Sequence, residues 1–89
     1  MGLPQRNIVR EIEFEEQLHA LIVDAEEADE FTEAAETVLA NDPRAGMPAS
    51  RDGSIWYLPM QPVRGRRVSL YYNFDESVVV FLAILGFDD

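Results

Sequence analysis

Three guanidinium groups stand just ahead of two phenols in the stretch RGRRVSLYYNF: Arg64, Arg66 and Arg67, then Tyr71 and Tyr72. Arginine presents a planar fork of donors that can hold a phosphate or a carboxylate through two bonds at once. A phenol can stack on a base or take part in proton transfer. Arg51 and Trp56 belong to the same chemistry, the first as a further anion-binding group and the second as a stacking surface. Such a set suits a phosphate-bearing ligand or an acidic segment of a partner protein.

The rest of the chain has the opposite sign. Its 89 residues carry a formal net charge of -10. Twelve carboxylates and no Lys or Arg lie between Glu11 and Asp42, whereas Arg44 to Arg67 holds five arginines against one acid, Asp52. Net acidity opposes nonspecific binding to nucleic acid, although a local basic patch would still attract phosphate. With no cysteine there is no disulfide and no thiolate ligand or nucleophile. His19 is the lone histidine, on an acidic stretch without a Ser or Cys partner, and reads as a surface residue. Glu26, Glu27, Asp29, Glu30, Glu33 and Glu36 include helical i, i+3 and i, i+4 pairs, and read as a solvated face. No phosphate loop, dinucleotide fingerprint or nucleophile elbow is present, so neither cofactor nor metal is expected.

The elements that must position these groups can be read from periodicity. The chain length suits one domain over residues 1–89, and the 47% hydrophobic content suits a folded one. No apolar run reaches the roughly 18 residues of a membrane span. MGLPQRNIVR lacks an apolar core of signal-peptide length, so a cytoplasmic protein is expected. NIVREIEF alternates and predicts an edge strand, with Ile8, Arg10, Ile12 and Phe14 on one face. Helical spacing follows at Leu18, Leu21, Ile22 and Ala25, and then at Phe31, Ala34, Ala35, Val38 and Leu39. Asp24 with Glu27 three residues later has capping-box spacing. No Gly or Pro separates the stripes, so one long bent helix stands beside two helices as an alternative. Pro43, Gly46 and Pro48 end the helical region.

Three strands should follow. SIWYLPM places Trp56, Leu58 and Met60 opposite Ile55 and Tyr57. RRVSLYYNF places Val68, Leu70, Tyr72 and Phe74 opposite Arg67, Ser69, Tyr71 and Asn73. VVVFLAIL is apolar on both faces, as in a central strand buried on both sides or covered by a partner. The predicted fold class is α+β: a two-layer β-α-α-β-β-β domain whose helical pair packs on a small antiparallel sheet.

The second half resembles the RelE/ParE toxin superfamily. The resemblance rests on a helix closing in NDPRAGMP, then DGSIWYLPM, then an arginine-rich turn into VSLYYNFDESVVVFLAILG, and covers roughly residues 31–86. It implies a small cytoplasmic toxin neutralised by a cognate antitoxin. RelE-like members cleave mRNA on the ribosome, and ParE-like members target DNA gyrase. The nuclease branch usually carries an arginine three residues before a tyrosine of this strand. That place holds Ser69 counted from Tyr72, or Val68 counted from Tyr71. The branch's basic residues after the terminal glycine are replaced by Phe87, Asp88 and Asp89.

The expected function is therefore a toxin-module protein acting through protein contact, without nuclease activity. Its partner is an antitoxin-like protein whose acidic segment meets Arg51, Arg64, Arg66 and Arg67, and a homodimer is also compatible. One alternative is a ribosome-dependent mRNA endonuclease in which the arginines hold phosphate, Tyr71 or Tyr72 stacks or assists proton transfer, and Trp56 contacts a base. Another is an acidic adaptor whose helices imitate nucleic acid. The plainest alternative has Arg64, Arg66 and Arg67 pairing with helix carboxylates, for about 0–1 kcal/mol each.

Overall fold

A computed structural model describes residues 5–88. Asp89 and the first four residues, which begin the segment read for a leader, lie outside the described residues. The elements are β1 (Asn7–Arg10), α1 (Ile12–Leu21), α2 (Ala25–Asn41), a short 3-10 turn (Pro43–Ala45), β2 (Met47–Pro48), β3 (Trp56–Pro59), β4 (Arg67–Phe74) and β5 (Val78–Phe87). Two helices pack on one face of a five-stranded sheet ordered β1-β5-β4-β3-β2, so the expected α+β two-layer class holds. Every neighbouring pair is antiparallel except β1 and β5, which run parallel. Among the described residues no helix is long and apolar enough to cross a membrane.

The predicted first strand is too long. It stops at Arg10, and Phe14 sits on α1 instead, fully buried with its ring 5.2 Å from that of Phe81. Ile12, expected on the same strand face, is 77% exposed. The reason is the neighbour: Glu11 donates its backbone N–H to Phe81 and there enters the helix, so β1 pairs with β5 over four residues only. Phe14, Leu18 and Ile22 then recur at i, i+4 and i+8 on the buried face.

The helical stretch resolves into two helices. Ile22 and Asp24 are both extended, and the Asp24 carboxylate accepts from the N–H groups of Glu26 and Glu27 as an N-cap. Ala25, read as part of the first stripe, is the first residue of the second helix. On α2 the buried line is Ala28, Thr32, Ala35 and Leu39, while Ala34 and Val38 remain exposed.

The sheet is larger than the predicted three-stranded meander. β1 is the expected edge strand, parallel beside β5, and β2 adds a short antiparallel edge beside β3 that was not predicted. Val68, Leu70 and Tyr72 of β4 face the helices with Val79, Phe81 and Ile84 of β5. β5 is central as expected, but only its helix-facing side is buried; Leu85 is 38% and Phe87 40% exposed on the other. A bulge interrupts its pairing, since Tyr71 opposes Ala83 whereas Tyr72 opposes Phe81. The backbone N–H of Ile84, just past the bulge, is satisfied by Gln17 Oε1 of α1 at 2.9 Å.

Candidate functional site

The arginines do not converge. Val63 and Arg66 exchange two backbone hydrogen bonds of 3.0 Å across a two-residue hairpin loop. Arg64 and Gly65 both have positive φ, 51° and 80°, as a type I′ turn demands. Gly65 meets that demand without a steric penalty, whereas Arg64 adopts it with a side chain that penalises it. The turn carries Arg64 out to its exposed tip. Alternation then sends Arg66 and Arg67 to opposite faces of the sheet. Arg66 lies on the helix-layer side, with Nε 3.0 Å from Asp88 Oδ1 and Nη2 donating to the Gly86 carbonyl at 3.2 Å. Arg67 projects from the open face beside Phe87, its cross-strand partner. Arg51 sits in the 50–55 loop before β3, at the end of that strand away from the arginine turn.

The aromatic candidates divide in the same way. Tyr72 is fully buried; its hydroxyl donates to the Pro43 carbonyl at 2.5 Å and accepts from the Gly46 N–H at 3.2 Å. Burial pushes its phenol above the ordinary value, and the same enclosure keeps the hydroxyl from reaching a ligand. Trp56 packs inward, edge-on to Phe74 with ring centroids 5.5 Å apart, and its indole N–H is bonded to the Gly53 carbonyl at 2.9 Å. Only Tyr71 faces outward, with its ring 6.2 Å from that of Tyr57.

The open sheet face therefore holds two of the seven candidates, Arg67 and Tyr71. Beside them stand three residues that residue type and spacing did not single out: Tyr57, Ser69 and Phe87. Tyr57, Ser69, Arg67 and Phe87 line a shallow cavity of ≈ 340 Å³. Across the rest of the face Met47, Tyr57, Tyr71 and Ala83 form a continuous cross-strand row, and Val9 pairs with Val80. The alternation of WYLP already placed Tyr57 opposite Trp56. For Phe87 no such signal existed, because the bulge shifts the facing of β5 by one residue. Among the described residues no group of three or more His, Asp or Glu side chains is placed to hold a metal ion.

These assignments separate two adjacent tyrosines by experiment. Tyr72→Phe leaves the Pro43 carbonyl without its donor and should lower stability by about 1–3 kcal/mol in urea unfolding. Tyr71→Ala should cost less than about 1 kcal/mol while changing whatever the open face binds. Equal stability losses would place both side chains in the core and contradict the assigned facing.

The loop carrying Arg51 is ordered by one carboxylate. Asp52 accepts from the Ser54 hydroxyl at 2.7 Å, the Ser54 N–H at 3.0 Å and the Ser50 hydroxyl at 2.8 Å. These bonds to the charged form, led by Ser54, hold its pKa at about 2 against an ordinary 3.8. The folded-state value is depressed, so its stabilisation is complete above pH 3.8 and is lost as pH falls through about 2. Amide exchange at Ser54 and Ile55 should accelerate across that window in the parent and show no such step in Asp52→Asn.

Two helices on one face of a sheet ordered β1-β5-β4-β3-β2, with the arginine-tyrosine strand near its centre, give this chain a RelE-like toxin fold. In particular, it is similar over 99% of its length to a chain of the toxin–antitoxin complex RelBE2 from Mycobacterium tuberculosis. That match covers 98% of the other chain, with a TM-score of 0.70 and 22% identity, and is a likeness of fold. A looser similarity is to TrmO from P. aeruginosa, with a TM-score of 0.54 and 15% identity, covering 97% of this chain and 35% of that one. No family model and no curated protein sequence matches the chain.

Proposed function

We propose that this chain is the toxin-fold member of a toxin–antitoxin pair and that it acts by binding protein rather than by cutting RNA. The observation that carries this reading is the composition of the open sheet face. Val9, Val80, Leu85, Phe87, Tyr57 and Tyr71 dominate it, and Arg67 is the cation that β4 contributes. Cleaving a phosphodiester requires several donors or cations around the charge that develops on phosphorus, together with groups that move protons. Here Arg66 is turned to the other face, where it meets Asp88, and Tyr72 is buried. A net charge of -10 further opposes approach of an RNA backbone. An apolar face rimmed by polar groups suits a protein partner.

Co-expression with the product of an adjacent small open reading frame should yield a complex that survives purification. Expression alone should slow growth, and Phe87→Asp with Leu85→Asp, both at exposed positions, should relieve that effect. Replacing Arg66 and Arg67 together by Ala should leave the growth effect in place. Loss of toxicity together with loss of mRNA cleavage in that double variant would transfer the chain to the endonuclease reading. No complex and no growth effect would remove it from toxin–antitoxin modules altogether.

A further inference from the structure

A groove follows the flank of α2 that the sheet leaves uncovered, on the helix side of the molecule. Two adjoining cavities of ≈ 410 and ≈ 380 Å³ share Glu30, Phe31 and Gln61 in their walls. The larger has an apolar floor, made by Phe31, Ala34 and Val38 of α2 against Leu58 and Met60. Phe31, Ala34 and Val38 are spaced i, i+3 and i+7, which is a second apolar stripe beside the buried Ala28, Ala35 and Leu39. Ala34 and Val38 are exposed, the latter 44%, so this part of the stripe lacks cover in the folded chain. Carboxylates rim it: Glu27 and Glu30 line the cavities. Among the described residues neither of these two is in an ion pair. Among those residues Arg64 is the one cation lining either cavity, and it stands in the smaller one, at the Leu21–Ile22 end.

We infer that this groove receives a basic amphipathic helix from a partner protein. From Glu27 to Val38 the α2 wall extends roughly 16 Å, enough for about three turns of a guest helix. Ala34 is small and exposed, so a guest helix can approach α2 closely there and place large apolar anchors between Phe31, Val38 and Met60. The guest's flanking positions then meet Glu27 and Glu30, where Lys or Arg would gain attraction from carboxylates that are in no ion pair among the described residues. A second copy of this chain does not fit, because its own helices are acidic along their exposed faces: Glu13 and Glu16 on α1, Glu26, Glu30 and Glu33 on α2. The charge of the guest is the reverse of what the arginine stretch suggested on its own. This surface lies on the other layer from the open sheet face, and the inference stands whether or not the chain belongs to a toxin–antitoxin pair.

The test uses the full chain and two labelled peptides of identical Leu and Lys composition. In one, Leu recurs at i, i+3, i+4 and i+7; in the other the same residues are scrambled, which keeps the charge and removes the stripe. Fluorescence anisotropy should show the striped peptide binding at least about tenfold more tightly than the scrambled one. Ala34→Arg and Val38→Gln should each weaken it about tenfold, and Glu27→Gln with Glu30→Gln should weaken it severalfold and flatten its salt dependence. Ile12→Ser, at an exposed position on α1, should leave binding unchanged. All these substitutions fall at exposed helix positions, and circular dichroism confirms that each variant is folded. Equal binding of the two peptides, or indifference to Ala34→Arg, would overturn the inference. So would concentration-dependent self-association that Ala34→Arg abolishes, since it would give the groove to a second copy.

Discussion

Gly46→Ala should destabilise the protein by about 3 kcal/mol or more, although Gly46 is only partly buried and its φ of -81° is open to any residue. The obstacle is space. A Cβ there would lie 2.5 Å from the Tyr72 hydroxyl, and even closer to the Tyr57 carbonyl oxygen. The second of those is backbone in the centre of β3 and cannot swing aside. The first is the hydroxyl that joins the Pro43 carbonyl to the Gly46 N–H, so moving it also breaks both bonds. One methyl group therefore disturbs the turn after α2, the edge strand β2 and the only fully buried hydroxyl of β4. Urea unfolding of Gly46→Ala alongside Tyr72→Phe and the double variant gives the check. The double variant should lose less than the sum of the two, because Tyr72→Phe removes the hydroxyl that the new Cβ would meet. Full additivity, or a loss below about 1 kcal/mol for Gly46→Ala, would contradict the close packing described.

Arg10→Met should cost about 2–3 kcal/mol, the second-largest single effect expected outside the apolar core. Arg10 reaches inward from β1 and joins both helices. It donates to Glu15 Oε1 of α1 at 3.1 Å and to Thr32 Oγ1 of α2 at 2.9 Å, and it bonds Glu36 of α2, with Asp29 at 3.8 Å. Burial works against its charge, but the bonds to Glu36 and Glu15 outweigh that and hold its pKa above the ordinary guanidinium value. Its removal leaves three carboxylates from two helices facing one another with no cation between them. Methionine keeps most of the stem's packing, so the loss measured reports on charge and hydrogen bonding. Glu36→Gln added to Arg10→Met should recover part of the loss, and Arg10→Lys should recover little, since an ammonium cannot serve both helices with a planar fork. If Arg10→Met lay within about 0.5 kcal/mol of the parent, the network would be a solvated surface cluster after all.

Arg10 also shows what could not be read in advance. Charge balance also allowed Arg64, Arg66 and Arg67 to pair with the helices, yet the cation that joins both helices in the fold is Arg10, from β1. The parallel pairing of β1 with β5, which brings Arg10 under α1 and α2, joins residues about seventy positions apart in sequence. No local pattern encodes such a pairing. Within β4, by contrast, the period of two was enough. Val68, Leu70 and Tyr72 were assigned inward and Arg67, Ser69 and Tyr71 outward, and the structure places them so.

Local sequence was sufficient for the layer architecture and for the facing of strands β3 and β4. It was sufficient too for the N-cap at Asp24 and for the turn residues that separate the helical half from the β half. Each of these follows from interactions within a few residues: side-chain alternation, a carboxylate meeting the next two N–H groups, a proline without an N–H. Alternation set Arg67 and Tyr71 on one face and Tyr72 on the other, whereas the distant partners of these side chains were settled by tertiary contacts. Arg66 meets Asp88 twenty-two positions away, Tyr72 is drawn to Pro43 twenty-nine positions away, and one bulge residue turns Phe87 to the open face. Those outcomes depend on pairing register and on burial against distant elements, and a shift of one residue in either would exchange the two faces of the sheet.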